Sequence, residues 1–311
     1  VEWSARETVI RRAGEVFVGA GLCEAMTRSV VSAALEATAS PWGDAAPLVI
    51  QPPLVRGADR LRRSLVPSLL EARAGNVAAG NADADLFEIA RAYVARPAAR
   101  AAESPVEEPL LATCVVGGDY FRAKGFAEAL LARLGGGGPR ANVEWRPVDL
   151  DVFARGRAAE LVLRRDGDIA RVGVVGEIAG AVLDRAALAG PVAAAELRLD
   201  LLAAAVTTER PLERPSDFPA VERDVNIVVA DTVPWAEVEA AIRGGGGSLL
   251  ERHRLVQVWE DAQRLGAGKK SLVVSLRLRS STGTLSGEEA AATVEKIVVE
   301  CGRRVGATLR K

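Results

Sequence analysis

The stretch from Phe218 to Arg310 constrains the fold more than any other part of the chain. Its segments run FPAVERDVNIVVA, PWAEVEAAIR, LLERHRLVQVWE, GKKSLVVSLRLRS, TLSGEEAAATVEKIVVECGRRV and GATLR. Apolar residues alternate from Val225 to Val229 and from Leu272 to Leu278, the period of a half-buried strand. Val294, Ile297, Val298 and Cys301 recur at three and four, the period of a helix. Ser286 stands three residues before Glu289, so the pair can form a capping box on the amides of the first helical turn. The segments therefore read strand, helix, strand, strand, helix and short closing strand, the split βαβ or ferredoxin-like order. That order alone assigns no chemistry, because the fold hosts many unrelated functions.

The remaining length must hold at least one more domain, since 311 residues correspond to about two domains of ~150 residues. Hydrophobic residues make up 49% of the chain, enough for real cores. With 40 basic and 41 acidic residues, nothing marks a free-standing polyanion binder. Cys23, Cys114 and Cys301 are far apart in apolar surroundings and read as buried thiols in a reducing compartment, not as a disulfide or a metal site. No apolar run reaches the ~18 residues of a membrane span, and no signal peptide opens the chain, so the expected location is the cytoplasm, with no membrane partner. The chain begins at Val1 almost inside a helical pattern and reads as part of something longer.

From the start, Glu2 to Ala20 is expected to be an amphipathic helix with Val9, Ile10, Ala13, Val16 and Phe17 on one face, ended by Gly19 or Gly21. A strand, CEAMTRSVVS, follows. PLVIQPP reads as a short strand, Pro67 opens a helix that Gly75 or Gly80 closes, and Asp85 to Val94 is a strand. Residues 95 to 109 have no period and read as a surface connection. Strand, turn and helix follow in CVVGGDYFRAKGFAEALLARLG, then further strands and a helix through AAELRLDLL. The prolines and mixed charges of 207–217 mark a linker, dividing a module of residues 1–206 from a second of residues 218–311. Two GGGG runs, at 135–138 and 244–247, read as flexible loops; neither has the Lys-Ser/Thr or the strand-to-helix setting of a phosphate cradle. The sole histidine, His253, lies in an alternating strand and cannot build a multi-His metal site. No CxxC, HExxH, GxSxG or Walker pattern is present. The chain is therefore expected to hold no catalytic residue, no metal and no bound cofactor of its own.

FPAVERD at 218–224, GKKSL at 268–272, TL followed by the EE pair at 288–289, and the terminal GATLR resemble the anticodon-binding domain that closes bacterial phenylalanyl-tRNA synthetase β chains. Upstream, Leu61, Arg62, Ser64, Leu65, Pro67, Leu69, Leu70, Asn76 and Leu86 through Tyr93 match the catalytic-like module of the same chains, with Ala90 in place of a usual glycine. Asp119, Lys124, Gly125, Gly176, Glu177 and Glu196 also match, whereas Arg122 replaces an acid and Ala179 and Gly180 replace His-Pro. The resemblance implies an α+β fold: a class II synthetase-like antiparallel sheet with flanking helices, then a ferredoxin-like βαββαβ domain. It implies an assembly of two α and two β chains that charges tRNA with phenylalanine using ATP and Mg²⁺, the active site lying in the α chain. The implied partners are the α chain, a second β chain and the tRNA for phenylalanine, with no DNA. Since the β module is a degenerate copy, Arg62 and Arg63 are expected to be structural or interfacial instead of gripping ATP phosphates. Asp119 and Lys124 are expected in an ion pair or helix-start contact.

The resemblance is weakest where tRNA would be held. Relatives carry FDVY before GKKS, an acid and a tyrosine for an anticodon base; here the segment reads VWEDAQRLGAGKKS. Trp259 takes the aromatic place, Glu260 or Asp261 the acid, and Ala262 stands where tyrosine would be. Trp259 is either an outward stacking platform, worth ~1–3 kcal/mol per base, or a buried strand-end residue. Arg223, Lys269 and Lys270 are the expected phosphate contacts. Two other classes fit the pattern: a stand-alone RNA-binding protein, which would need aromatic residues on the central strands that LVVSLRLR lacks, and a non-catalytic scaffold or regulatory paralogue.

Overall fold

The computed structural model describes residues 3–37, 40–42, 46–53, 55–96, 104–134, 143–165, 168–205 and 216–310. They belong to two compact units, Val1–Pro211 and Leu212–Lys311. The expected linker, 207–217, and the Gly135–Gly138 run lie almost wholly or wholly outside the described residues.

The first unit opens with α1, Ala5–Gly19. Ser4 caps it: its Oγ accepts from the Glu7 amide at 3.2 Å while the Glu7 carboxylate accepts from the Ser4 amide at 2.9 Å. Val9, Ala13 and Phe17 are buried, the face that the spacing predicts. The segment CEAMTRSVVS is not one strand. It forms β1, Cys23–Glu24, and β2, Val30–Val31, and Met26 between them is 98% exposed. After α2, Ala33–Glu36, the PLVIQPP segment contributes only an isolated bridge, Val49 to Arg60, beside β3, Arg60–Leu61. Next come α3, Val66–Ala78; β4, Leu86–Arg91; and β5, Val94–Ala95, which pairs with β6, Val106–Glu107. The expected loop at 95–109 is therefore pinned at both ends. The unit is completed by β7, Leu110–Gly117; α4, Tyr120–Leu134; β8, Val143–Pro147; β9, Phe153–Arg165; β10, Asp168–Ile178; α5, Gly180–Arg185; β11, Val192–Arg198; and α6, Leu199–Ala205.

Seven strands form one sheet in the order β1-β4-β7-β11-β10-β9-β8. β1 runs parallel to β4, and every other neighbouring pair is antiparallel. Adjacent residues feed opposite faces, so the buried and mostly apolar runs of β7 and β11, broken only by Thr113 and Glu196, are those of strands covered on both sides. Phe87, Cys114, Val116, Ala195 and Leu197 pack with Phe17, Ala127 and Leu130 in one core. Leu86, Val115, Val174 and Ala194 pack with Val66, Leu69 and Val182 in the other.

The second unit comprises β12, Val221–Ala230; α7, Trp235–Gly246; a 3₁₀ turn, Gly247–Leu249; β13, Leu250–Trp259; α8, Ala262–Leu265; β14, Lys269–Leu278; α9, Gly287–Val305; and β15, Thr308–Leu309. Its sheet order is β13-β14-β12-β15, the ferredoxin-like arrangement. Val225, Ile227, Val229, Leu272, Val274 and Leu276 pack beneath α7 and α9. Ser286 caps α9 in the predicted capping box, and Gly306, at φ 64°, ends it.

The second GGGG run is a correction to the sequence reading. Gly244, Gly245 and Gly246 are the last turn of α7, and only Gly247 leaves the helix, at φ 51°. A Cβ on Gly245 would stand 2.6 Å from the Ile297 Cα. Gly245 is thus where the backbones of α7 and α9 meet, and there packing outweighs the poor helix propensity of glycine. Cys23 is the second correction: it is exposed on edge strand β1, while Cys114 and Cys301 are buried. Burial pushes the Cys114 thiol up to about 12 and the Cys301 thiol up to about 11.

Candidate nucleic-acid interface

Helices cover one face of the second sheet and leave the other open. Trp259 faces Ser271 across β13 and β14, Ser271 faces Val228, and Val228 faces Thr308, so these side chains share the open face. Trp259 is half-buried there. The Arg310 guanidinium carbon lies over its ring, 4.4 Å from the centroid, within cation–π range. The Arg310 amide donates to the Asn226 carbonyl at 2.8 Å, which fixes the arginine beside the sheet. Beneath the pair, Ser271 is 1% exposed and its hydroxyl donates to Asn226 Oδ1 at 2.6 Å. Trp259 is therefore neither a strand-end core residue nor an uncovered platform.

The other expected contacts divide. Lys269 shares the parity of Ser271, is exposed, and has no partner among the described residues. Lys270 has the opposite parity and donates from Nζ to the Asp231 carbonyl at 2.8 Å. Glu260 is exposed at the end of β13. Asp261 is the N-cap of α8, its Oδ1 accepting from the amides of Gln263 and Arg264 at 2.9 and 3.1 Å, so this acid is engaged locally. Arg223 pairs with Leu276, whereas Val229 pairs with Lys270. Six residues along a strand is roughly 20 Å, so Arg223 is not gathered with Trp259 and Lys269. Arg252 and Arg254 face Arg277 and Ser275, are exposed, and have no partner among the described residues. Sequence reasoning passed over both arginines and Arg310; the alternation around His253 and Leu255 was the signal for the first two. His253 turns inward, with Nε2 2.9 Å from Glu239. That hydrogen bond, with help from Arg243, holds the Glu239 carboxyl down to about 2.

The charged groups of the first unit that match family positions make contacts within that unit. Arg62, 3% exposed, reaches Glu88 at 3.1 Å and donates to the Arg91 carbonyl at 3.1 Å. Arg63 pairs with Glu36. Asp119 accepts from the Arg122 amide at 3.1 Å, while Lys124 pairs with Glu128 at 2.5 Å, so Asp119 and Lys124 do not meet. Glu196 is wholly buried and accepts from the Leu65 amide, Ser64 Oγ and Thr113 Oγ1, each at 2.8 Å, and from Trp42 Nε1. Burial raises its pKa against the pull of these donors. Among the described residues, no three His, Cys, Asp or Glu are grouped to hold a metal, and no helix is long and apolar enough to cross a membrane.

Residues 2–199 match the model of the phenylalanyl tRNA synthetase beta chain CLM domain, and residues 216–310 match that of the ferredoxin-fold anticodon binding domain. A phenylalanine–tRNA ligase beta subunit of Rhodopirellula baltica is 35% identical over 97% of this chain and 44% of its own length. Its counterpart from Streptomyces avermitilis is 34% identical over 98% of this chain and 40% of its own length. The chain thus spans less than half of the curated relatives it matches. Pyrrolysyl-tRNA synthetase from Desulfitobacterium hafniense superposes with a TM-score of 0.48 at 16% identity over 64% of this chain and 68% of its own, too loose a fit to carry an inference.

Proposed function

As this chain belongs to the phenylalanyl-tRNA synthetase β chain family, we propose that it is the part of a phenylalanine–tRNA ligase that supports the catalytic α chain and holds the anticodon region of the tRNA. In this reading the α chain performs ATP- and Mg²⁺-dependent charging in the cytoplasm, within an assembly containing a second β chain. No catalytic residue is assigned to the present chain. The observation that carries the tRNA reading is Trp259 on the open sheet face, with an uncommitted cation, Lys269, on the same face near it. The Trp259 ring with the Arg310 guanidinium stacked over it offers a π-faced pair on which an unpaired base can lie, with Lys269 to meet its phosphate. Glu260 is the free acid for a base edge; Asp261 shapes the turn; Lys270 braces it; Arg223 contributes from the far end of β12.

The test is a filter-binding titration of the complete assembly at several salt concentrations. Lys269→Ala with Lys270→Ala is expected to weaken tRNA binding and to flatten its salt dependence, the slope falling by roughly 0.7 for each phosphate no longer neutralised, while tRNA-independent activation of phenylalanine stays unchanged. Superimposable curves would remove the anticodon role. Ala262 in place of tyrosine, together with the local use of Asp261, favours one competitor, a scaffold that keeps the fold without the tRNA. Co-purification of an α chain in an assembly that fails to retain the tRNA would select it.

A further inference from the structure

In the first unit, a cleft of about 200 Å³ is walled by α2, the turn at 55–58 and the first turns of α3. Ser68, on α3, lines it at 4% exposure, and its Oγ is buried without a hydrogen-bond partner among the described residues. A buried hydroxyl left unpaired is costly until a partner arrives. Arg28 and Arg56 line the same cleft, and neither has an ion-pair partner among the described residues. The arginines around them are committed: Arg60 to Asp59, Arg62 to Glu88, Arg63 to Glu36 and Arg73 to Asp85. The turn that carries Arg56 is closed by the Ala58 amide on the Val55 carbonyl at 3.0 Å, with Gly57 at φ 79°. The other cleft hydroxyls already have roles, Thr27 on Glu88 and Ser32 on the Leu35 amide.

We propose that this cleft binds the phosphate of a hydroxyl-bearing phosphate ester. Two free guanidinium groups provide the donors that phosphate oxygens match best. Ser68 adds a neutral donor from the first turn of a helix, where an anion is favoured. Glu71, on the same face of α3 and also lining the cleft, accepts from the ester's hydroxyl and disfavours bare polyanions. The volume exceeds that of a few waters at about 30 Å³ each, leaving room for a group attached to the phosphate. Two sources share this chemistry: a small sugar phosphate and the ribose-phosphate backbone of an RNA. The site does not depend on the anticodon reading, since its residues lie in the other unit.

The test is calorimetric titration of the full chain with ribose 5-phosphate, with free ribose as the control. One-to-one binding of the phosphate ester, absent for ribose, is expected. Arg28→Ala with Arg56→Ala, both at exposed positions, should weaken it at least about tenfold. Ser68→Ala should raise the Tm of the free chain by removing the unpaired hydroxyl while reducing the rise that ribose 5-phosphate produces. A tetranucleotide of single-stranded RNA that competes with ribose 5-phosphate assigns the site to an RNA backbone; failure to compete assigns it to a small ester. No binding, or equal affinity in the double variant, overturns the proposal and leaves Ser68 hydrated from the adjoining cavity of about 10 Å³, which holds about one water.

Discussion

Single residues carry the sharpest consequences of burial. Glu196→Ala would leave the Leu65 amide and the Ser64 and Thr113 hydroxyls buried without their acceptor, so a loss of about 3 kcal/mol or more is expected in denaturant unfolding of the first unit. Its pH dependence has a definite sign. A carboxyl whose folded pKa lies above its unfolded value stabilises fully below the unfolded value and less as pH rises through the folded one. Glu239 in the second unit behaves oppositely. Its folded value of about 2 makes its contribution present above the ordinary carboxylate range and lost as pH falls toward 2. Glu239→Gln should therefore flatten acid unfolding of the second unit while leaving the first unit's profile unchanged. The cysteines give a simpler check. The thiolate is the reactive form, so Ellman's reagent should titrate Cys23 rapidly in the native chain and all three thiols only after denaturation.

At the scale of elements, the α7–α9 contact separates two glycines that look alike in sequence. Gly245→Ala drives a Cβ into the Ile297 backbone and should cost about 1–3 kcal/mol. Gly244→Ala meets only side-chain ends, Arg304 at 3.4 Å and Glu300 at 3.6 Å, which can move, so the gain in helix propensity should stabilise by about 0.5–1 kcal/mol. Thermal unfolding of the two variants should shift in opposite directions; equal shifts would mean that the helices do not touch at Gly245. Capping is the other element-scale lesson. Ser286 with Glu289 announced α9, and Ser4 with Glu7 carried the same signal for α1, three residues inside the helix start expected at Glu2. Both signals are local, with both capping partners within one turn, but the sequence reading used only the one at Ser286 and so started α1 too early.

For the molecule as a whole, each unit has cores drawn from its own residues, so residues 216–311 expressed alone should unfold in a single cooperative transition by denaturant and circular dichroism. The ferredoxin-like order of the second unit, the inward face of α1, the strands at β7 and β11 and the family are all legible in the amino-acid order alone, because periodicity, caps and short motifs are local properties of a chain. That Gly244 to Gly246 are helical came from the folded arrangement, since it depends on a neighbouring backbone at Ile297. The same arrangement placed Cys23 on an exposed edge, because edge and centre are positions in a sheet and not properties of a segment. It also set Arg310 over Trp259 and left Lys269 free while committing Lys270 and Asp261. Those contacts join residues up to tens of positions apart, and no local rule reports which side chains will meet once the strands are ordered.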